Sequence, residues 1–248
     1  MHPILLTCGP FTLYSYGAML VVAFLVAIGL AGRAARRLPP ALVAITAEQL
    51  VDFACLSLLG GMLGARLVYV LLQWNVFLRD PLEILALWHG GLVWYGGFLG
   101  GLVAGWLYAR AKGLAFLRVM DQVIPFLALG HAIGRLGCFL NGCCFGKPTE
   151  AWCGVVFPGQ GVRVYPTQLF ESAGLLFLYI MLRRLQRPPI LARPGSVFGC
   201  YLIGYAGLRF LIEFFRGDQA IWWAGLTLQQ LISIGIFAIG SGLLLRMK

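Results

Sequence analysis

The sequence predicts an all-α polytopic membrane protein. Seven transmembrane helices run with the N-terminus outside and the C-terminus cytoplasmic, and the outer loops form a small polar head. Three observations carry this. Of the 248 residues, 60% are hydrophobic and only 11% are charged, far from the balance of a water-soluble domain. The apolar residues gather into runs near the roughly 20 residues that a helix needs to cross a bilayer. Most basic residues fall between those runs and on alternate loops, the pattern that fixes the cytoplasmic side.

Taken in order, the spans fall near 13–32, 50–72, 91–110, 119–137, 167–183, 196–215 and 226–246 of a single integral membrane domain over residues 1–248. No basic residue precedes Arg33, so the opening segment reads as a retained span and not a cleaved leader. Arg33, Arg36 and Arg37 follow the first span, and Arg110, Lys112 and Arg118 join the third to the fourth. Arg183, Arg184, Arg187 and Arg193 join the fifth to the sixth; Arg246 and Lys248 end the chain. With the N-terminus outside, all of these share the cytoplasmic face. The proline-broken RRLQRPPILARPG among them is a stop-transfer and topology signal. The outer loops, 73–90 and 138–166, exceed what a connector needs, and Trp74, Trp88, Trp94 and Trp152 are interfacial residues by type. The net charge of +10 would suit nucleic acid, but these cations flank apolar spans and form no groove-sized patch. The partner that composition implies is the lipid bilayer, with no nucleic acid.

The chemistry gathers in His131 to Thr149, HAIGRLGCFLNGCCFGKPT. Arg135 lies at the end of an apolar run, where a cation costs about 3 kcal/mol at mid-membrane depth and calls for a partner. The glycines around it allow tight turns and expose amides that can face an anion. The stretch reads as a phosphate clamp at a membrane surface. Arg66 and Arg209 lie inside the second and sixth spans, each toward the outer half, so three cations point to one leaflet region. A snorkelling helix-end residue is the alternative for Arg66. Tyr205, Arg209 and Glu213 fall at i, i+4 and i+8 and line one inward face. There Glu213 orients Arg209 while the guanidinium forks a phosphate, or else the pair only locks two helices. Arg216, a turn later, extends the anion site or sits among headgroups.

Cys138, Cys143, Cys144 and Cys153 form a C-x4-C-C-x8-C group. On an oxidising face Cys153 would staple the loop by a disulfide to one of the others; unpaired buried thiols are the alternative. The repeated C-x2-C of a structural zinc site is missing, so neither a metal nor any other cofactor is expected. Cys8, Cys55 and Cys200 read as span filling.

GRLGCFLNGCCFGK resembles the G-R-x-G-N-F-x-N-x-E-x-x-G signature of the prolipoprotein diacylglyceryl transferase family, and the resemblance extends over almost the whole chain. Ser15-Tyr16-Gly17 with Met19 is similar to the tyrosine motif of the family's first span, and Gly64, Arg66 and Tyr69 resemble its G-x-R-x-x-Y segment. Trp88-His89-Gly90-Gly91 followed by Tyr95-Gly96-Gly97 looks like its third-span entry. Tyr165-Pro166-Thr167-Gln168 with Glu171 resembles H-P-S-Q-x-x-E, and Tyr205, Arg209, Glu213 and Arg216 match Y-x3-R-x3-E-x2-R.

The resemblance implies a multi-pass enzyme of the bacterial inner membrane with its active site toward the outer leaflet, so the outer face is periplasmic. It implies transfer of a diacylglyceryl group from phosphatidylglycerol to the lipobox cysteine of a prolipoprotein signal peptide, with glycerol phosphate leaving. Arg135 and Arg209 would stabilise the departing phosphate. Tyr95 or His89 would serve the acceptor thiol, and Tyr16, Arg66, Gly96, Gly97, Asn141, Gly146, Gln168, Tyr205, Glu213 and Arg216 would shape the substrate pocket. Three departures stand out. Tyr95 replaces the histidine that the family places before Gly-Gly, and a neutral phenol is a poor proton acceptor; His89 and His131 are the substitutes at hand. Cys138 and Cys143 replace the signature's Asn and Glu, and Tyr165 replaces the H-P-S-Q histidine. A divergent paralogue with another acceptor is the first alternative. A small-anion carrier is the second, though the paired repeats such carriers show are absent from the sequence. A thiol redox protein would want a C-x-x-C pair, also absent.

Overall fold

The computed structural model describes all residues except 1, 2, 9, 10, 79, 87–89, 160, 218, 219, 247 and 248, and excludes the side chains of Cys8 and Phe11. The chain is mostly helical. The antiparallel hairpin β1 (Ile4–Cys8) and β2 (Phe11–Tyr14) leads into α1 (Ser15–Ala35), followed by α2 (Ala47–Leu72), the single turn α3 (Trp74–Phe77), α4 (Trp94–Ala111) and α5 (Phe116–Asn141). A short hairpin, β3 (Val155–Val156) with β4 (Arg163–Val164), precedes α6 (Thr167–Leu185) and α7 (Ser196–Glu213). A third hairpin, β5 (Ile221–Trp223) with β6 (Leu226–Thr227), leads into α8 (Leu228–Leu245).

Among the described residues, five segments are long and apolar enough to cross a membrane: Ser15–Ala35, Pro40–Leu72, Phe116–Asn141, Ser196–Glu213 and Leu228–Leu245. This is an all-α membrane protein. Helices also occupy the third and fifth expected spans, but α4 is diluted by glycines and carries Arg110 in its last turn, and α6 carries Glu171, Arg183 and Arg184. The fourth helix outlasts its expected end at 137. It runs to Asn141, because Cys138 and Phe139 continue the apolar series and Gly142, at φ 73°, is the first residue to leave the helical backbone.

The chain divides into two compact units, residues 32–119 and residues 1–31 with 120–248. In the first, α2 and α4 pack backbone to backbone along Gly60, Gly61 and Gly64 on one helix and Gly96, Gly97, Gly100 and Gly101 on the other. Close approach of this kind replaces the hydrophobic drive that lipid cannot supply between helices. A Cβ on Gly64 would stand 2.9 Å from the Gly100 Cα, so no side chain fits there. Thr46 starts α2 with a capping box, accepting from the Gln49 amide at 3.3 Å while the Gln49 side chain accepts from the Thr46 amide at 3.2 Å.

In the second unit, polar residues tie α5, α6 and α7 together at one end and all four helices α5 to α8 at the other. At one end buried Asp121 of α5 accepts the backbone N–H groups of Phe198, at 2.8 Å, and Gly195, so a carboxylate sits on the N-terminus of α7. Gln186, after α6, donates to the carbonyls of Asp121 at 2.6 Å and Gln122 at 3.0 Å. The opposite end carries the candidate site.

Candidate functional site

Four helix ends meet here: the last two turns of α5 and α7 and the first turns of α6 and α8. Arg135 of α5 pairs with Glu171 of α6, Nη2 to Oε1 at 2.9 Å. His131, one turn before Arg135, places Nε2 3.7 Å from the same carboxylate oxygen. Glu171 is 1% exposed, so its charge needs these partners. Arg209 pairs with Glu213 at i, i+4, Nη2 to Oε2 at 2.9 Å. The Glu213 Oε1 accepts from the Thr227 hydroxyl at 2.9 Å, and Thr227 also caps α8 through a box with Gln230. The capping threonine thus holds the carboxylate that holds the arginine.

The two ion pairs share neighbours. His131 and Tyr205 both lie within electrostatic reach of Arg135, Arg209 and Glu171. Their rings are 5.7 Å apart, and Tyr205 stacks on Tyr201 at 5.7 Å. Two guanidiniums and two carboxylates balance in charge, and each carboxylate orients its arginine, as the sequence led one to expect for Glu213 and Arg209. Each arginine keeps a spare donor: Arg135 Nε and Arg209 Nη1 are buried with no hydrogen-bond partner among the described residues, and neither Gln168 Oε1 nor the ion-paired oxygens Glu171 Oε1 and Glu213 Oε2 have one. Buried donors of this kind call for an anionic or polar guest.

The turn after α5 is fixed by the N-terminus of α6. Gln168 donates to the Cys143 carbonyl at 2.6 Å and Thr167 to the Cys144 carbonyl at 2.9 Å. Cys144 is held at φ 63°, the left-handed region that non-glycine residues rarely adopt. Cys138, Cys143 and Cys144 bring their sulfurs within 4.8 Å of one another. A hydrogen bond from the Cys138 thiol lowers the Cys144 pKa to about 5, against burial, with Arg135 and Arg216 adding to the lowering. Burial raises that of Cys143, against a hydrogen bond from Asn141. The expected disulfide is not formed: Cys138, Cys143, Cys144 and Cys153 are all free thiols, and Cys153 stands outside the sulfur cluster.

The other expected residues divide. Tyr16, in the first turn of α1, flanks α5 where a Cβ on Gly137 would lie 3.5 Å from its ring, and it is within electrostatic reach of Arg135 and the three cysteines. Gly146 is locked into packing: its amide donates to Tyr165 at 2.8 Å, and a Cβ there would lie 2.8 Å from Thr167 Cγ2. Tyr165 packs its ring on Phe170 and Phe215.

Within residues 32–119, Gly96 and Gly97 face α2 in the glycine contact. Tyr95, 41% exposed in the first turn of α4, sets its ring edge-on to Trp94. His89 lies outside the described residues. Arg66 of α2 is buried. Its five N–H donors go to backbone carbonyls: Nε to Ile84 at 3.0 Å, Nη1 to Gly90 at 2.6 Å and Gly91 at 3.3 Å, and Nη2 to Ala86 at 3.2 Å and to Glu83. Its guanidinium also packs 5.5 Å from the Tyr69 ring and 5.4 Å from Phe77.

The family model for prolipoprotein diacylglyceryl transferase matches residues 3–246. The chain belongs to the prolipoprotein diacylglyceryl transferase family. Among its relatives is the phosphatidylglycerol--prolipoprotein diacylglyceryl transferase of Aromatoleum aromaticum, 39% identical over 98% of this chain and 94% of that protein. That of Bordetella parapertussis is 38% identical over 99% and 95%. That of Pseudoalteromonas atlantica is 39% identical over 89% and 78%. Within this diacylglyceryl transferase, sequence reasoning found both arginines but gave no role to Glu171 and did not reach Thr227. The signal for Glu171 was available: a carboxylate in an otherwise apolar span calls for a cation, and His131 and Arg135 form an i, i+4 pair.

Proposed function

We propose that this chain transfers the diacylglyceryl group of phosphatidylglycerol to the lipobox cysteine of a prolipoprotein signal peptide, at the outer leaflet of a bacterial inner membrane. In this reading it is one integral membrane domain crossing seven times, with the N-terminus periplasmic and the C-terminus cytoplasmic. The third and fifth crossings, α4 and α6, are the two less apolar ones, a composition that helices shielded by other helices tolerate.

The acceptor thiolate sulfur attacks the glyceryl carbon bonded to the phosphate oxygen. The carbon–oxygen bond breaks, its electron pair stays on that oxygen, and glycerol phosphate leaves as a dianion. The observation that carries the reading is the pair of buried, unsatisfied donors, Arg135 Nε and Arg209 Nη1, on guanidiniums already oriented by Glu171 and Glu213. Preorganised donors stabilise charge on a leaving oxygen without reorganising during the reaction. Tyr16, Tyr205, Asn141, Gln168 and Arg216 shape the headgroup pocket, while Gly146 lets the turn pack. The test supplies purified protein with phosphatidylglycerol and a lipobox peptide and measures the thioether peptide and glycerol phosphate. Arg135→Ala and Arg209→Ala are each expected to abolish both products; full activity in either variant rejects the reading.

A further inference from the structure

Three thiols of this chain have no place in the mechanism above. Cys138 ends α5, and Cys143 and Cys144 follow the Gly142 turn, with the three sulfurs within 4.8 Å of one another. A tetrahedral zinc with Zn–S bonds of about 2.3 Å places its sulfurs about 3.8 Å apart, so shifts of about 1 Å or less between sulfurs bring these atoms to ligand separations. The backbone that carries them is already fixed. The Cys143 amide donates to the Cys138 carbonyl at 3.1 Å, Gln168 and Thr167 hold the next two carbonyls, and Cys144 keeps its left-handed φ of 63°. Strained backbone held by surrounding hydrogen bonds marks a functional turn.

No fourth histidine, cysteine or carboxylate joins the cluster among the described residues. A closed structural zinc site has four protein ligands, whereas a reactive one has three and an open position. Cys138 is buried, but Cys143 and Cys144 are half-buried, which leaves the cluster reachable. Three thiolates and one divalent ion carry one net negative charge, and a fourth thiolate makes two. Arg216 and the Glu171-paired Arg135 both act electrostatically on Cys144 and favour negative charge there.

We propose that Cys138, Cys143 and Cys144 bind one Zn2+ and leave its fourth position to the acceptor cysteine of the substrate. This rests on the transferase reading for the acceptor, though not for the site. A thiol that coordinates zinc loses its proton; the proton passes to water, and the sulfur remains a nucleophile without a dedicated base. That answers the departure at Tyr95, where a phenol stands in place of a histidine. A monovalent copper ion is satisfied by the three thiolates alone and offers the acceptor nothing, so the delivery role selects zinc.

The experiment loads detergent-purified, chelator-stripped protein with Co2+ as a spectroscopic stand-in and then with Zn2+ or Cu+. It follows the thiolate-to-cobalt absorption, bound metal per chain, and thioether formation from phosphatidylglycerol and a lipobox peptide. One equivalent of cobalt displaced by zinc is expected. The absorption should be lost in Cys138→Ser, Cys143→Ser and Cys144→Ser and kept in Cys153→Ser. Thr167→Val, which releases the Cys144 carbonyl, should weaken binding about 10-fold or more. Zinc should raise thioether formation by 10-fold or more over the stripped enzyme, while Cu+ should not. Absent or substoichiometric cobalt binding overturns the site. Equal turnover with and without zinc, or activation by Cu+, overturns the delivery role. Lack of thioether from zinc-loaded and stripped protein alike refutes the transferase reading instead, and the cobalt spectrum then decides the site by itself.

Discussion

Replacing Glu171 by glutamine removes one charge and almost no volume, so its effect isolates what the carboxylate does. In the wild-type chain Glu171 is 1% exposed and stands 2.9 Å from Arg135 and 3.7 Å from His131. The variant leaves the Arg135 guanidinium, whose side chain is 18% exposed, without its counter-charge. Breaking a buried pair from one side costs about 3–5 kcal/mol. The partial access of Arg135 to water sets the expectation near the low end, about 3 kcal/mol. For a chain of this length that corresponds to a fall of roughly 6–12 °C in the unfolding midpoint. The measurement is loss of native fluorescence on heating in detergent micelles, with turnover recorded below the transition. Turnover should fall roughly 100-fold as Arg135 loses its fixed orientation, and Glu171→Asp should restore part of the stability. An unchanged midpoint together with unchanged turnover would refute the claim that this ion pair orients the site.

Arg209→Lys keeps the charge but loses the planar fork, and should lower turnover about 100-fold or more with little change in phosphatidylglycerol binding; steady-state kinetics on mixed micelles separate the two. Thr227→Val removes both the α8 cap and the donor to Glu213, so a loss of about 1–2 kcal/mol in unfolding free energy is expected alongside reduced turnover. Asp121→Asn lies at the other pole of the same helices. It should destabilise by about 1–2 kcal/mol through the α7 N-terminus and leave the catalytic constant of the surviving folded protein unchanged. Gly64→Ala should separate α2 from α4 and lower the unfolding midpoint by several degrees, because its methyl would meet backbone and not a side chain that can move.

Much of this architecture was legible from apolar run length. Each expected span overlaps a helix, and five segments are long and apolar enough to cross a membrane, because a stretch of about 20 apolar residues has few other ways to satisfy its backbone in lipid. The ends were less legible. Gly134 and Gly137 suggested that the chain turns near Arg135, yet both are helical, and Gly137 accommodates Met19 of α1, as a Cβ there would come within 2.9 Å. Whether a glycine relieves a turn or a helix contact is decided by the neighbouring helix, which the local sequence does not contain. The same holds for Arg66 and Arg209. Both read as inward cations, and only the partners, loop carbonyls for one and a carboxylate for the other, separate their roles. The cysteine group was opaque for a related reason. Its spacing fits no linear zinc motif, because a helix end followed by a left-handed residue gathers the sulfurs.

Arg66 has one more consequence. A loop whose carbonyls converge on a single guanidinium is organised as calcium-binding loops are organised around their ion, except that here the cation is covalently part of α2 and can never dissociate. The carbonyls of Glu83, Ile84, Ala86, Gly90 and Gly91 therefore need no external ligand to converge, since the cation that gathers them is part of α2. Lysine, with three donors in place of five, would leave at least two of those carbonyls seeking water, and the segment would behave like a calcium loop stripped of its metal.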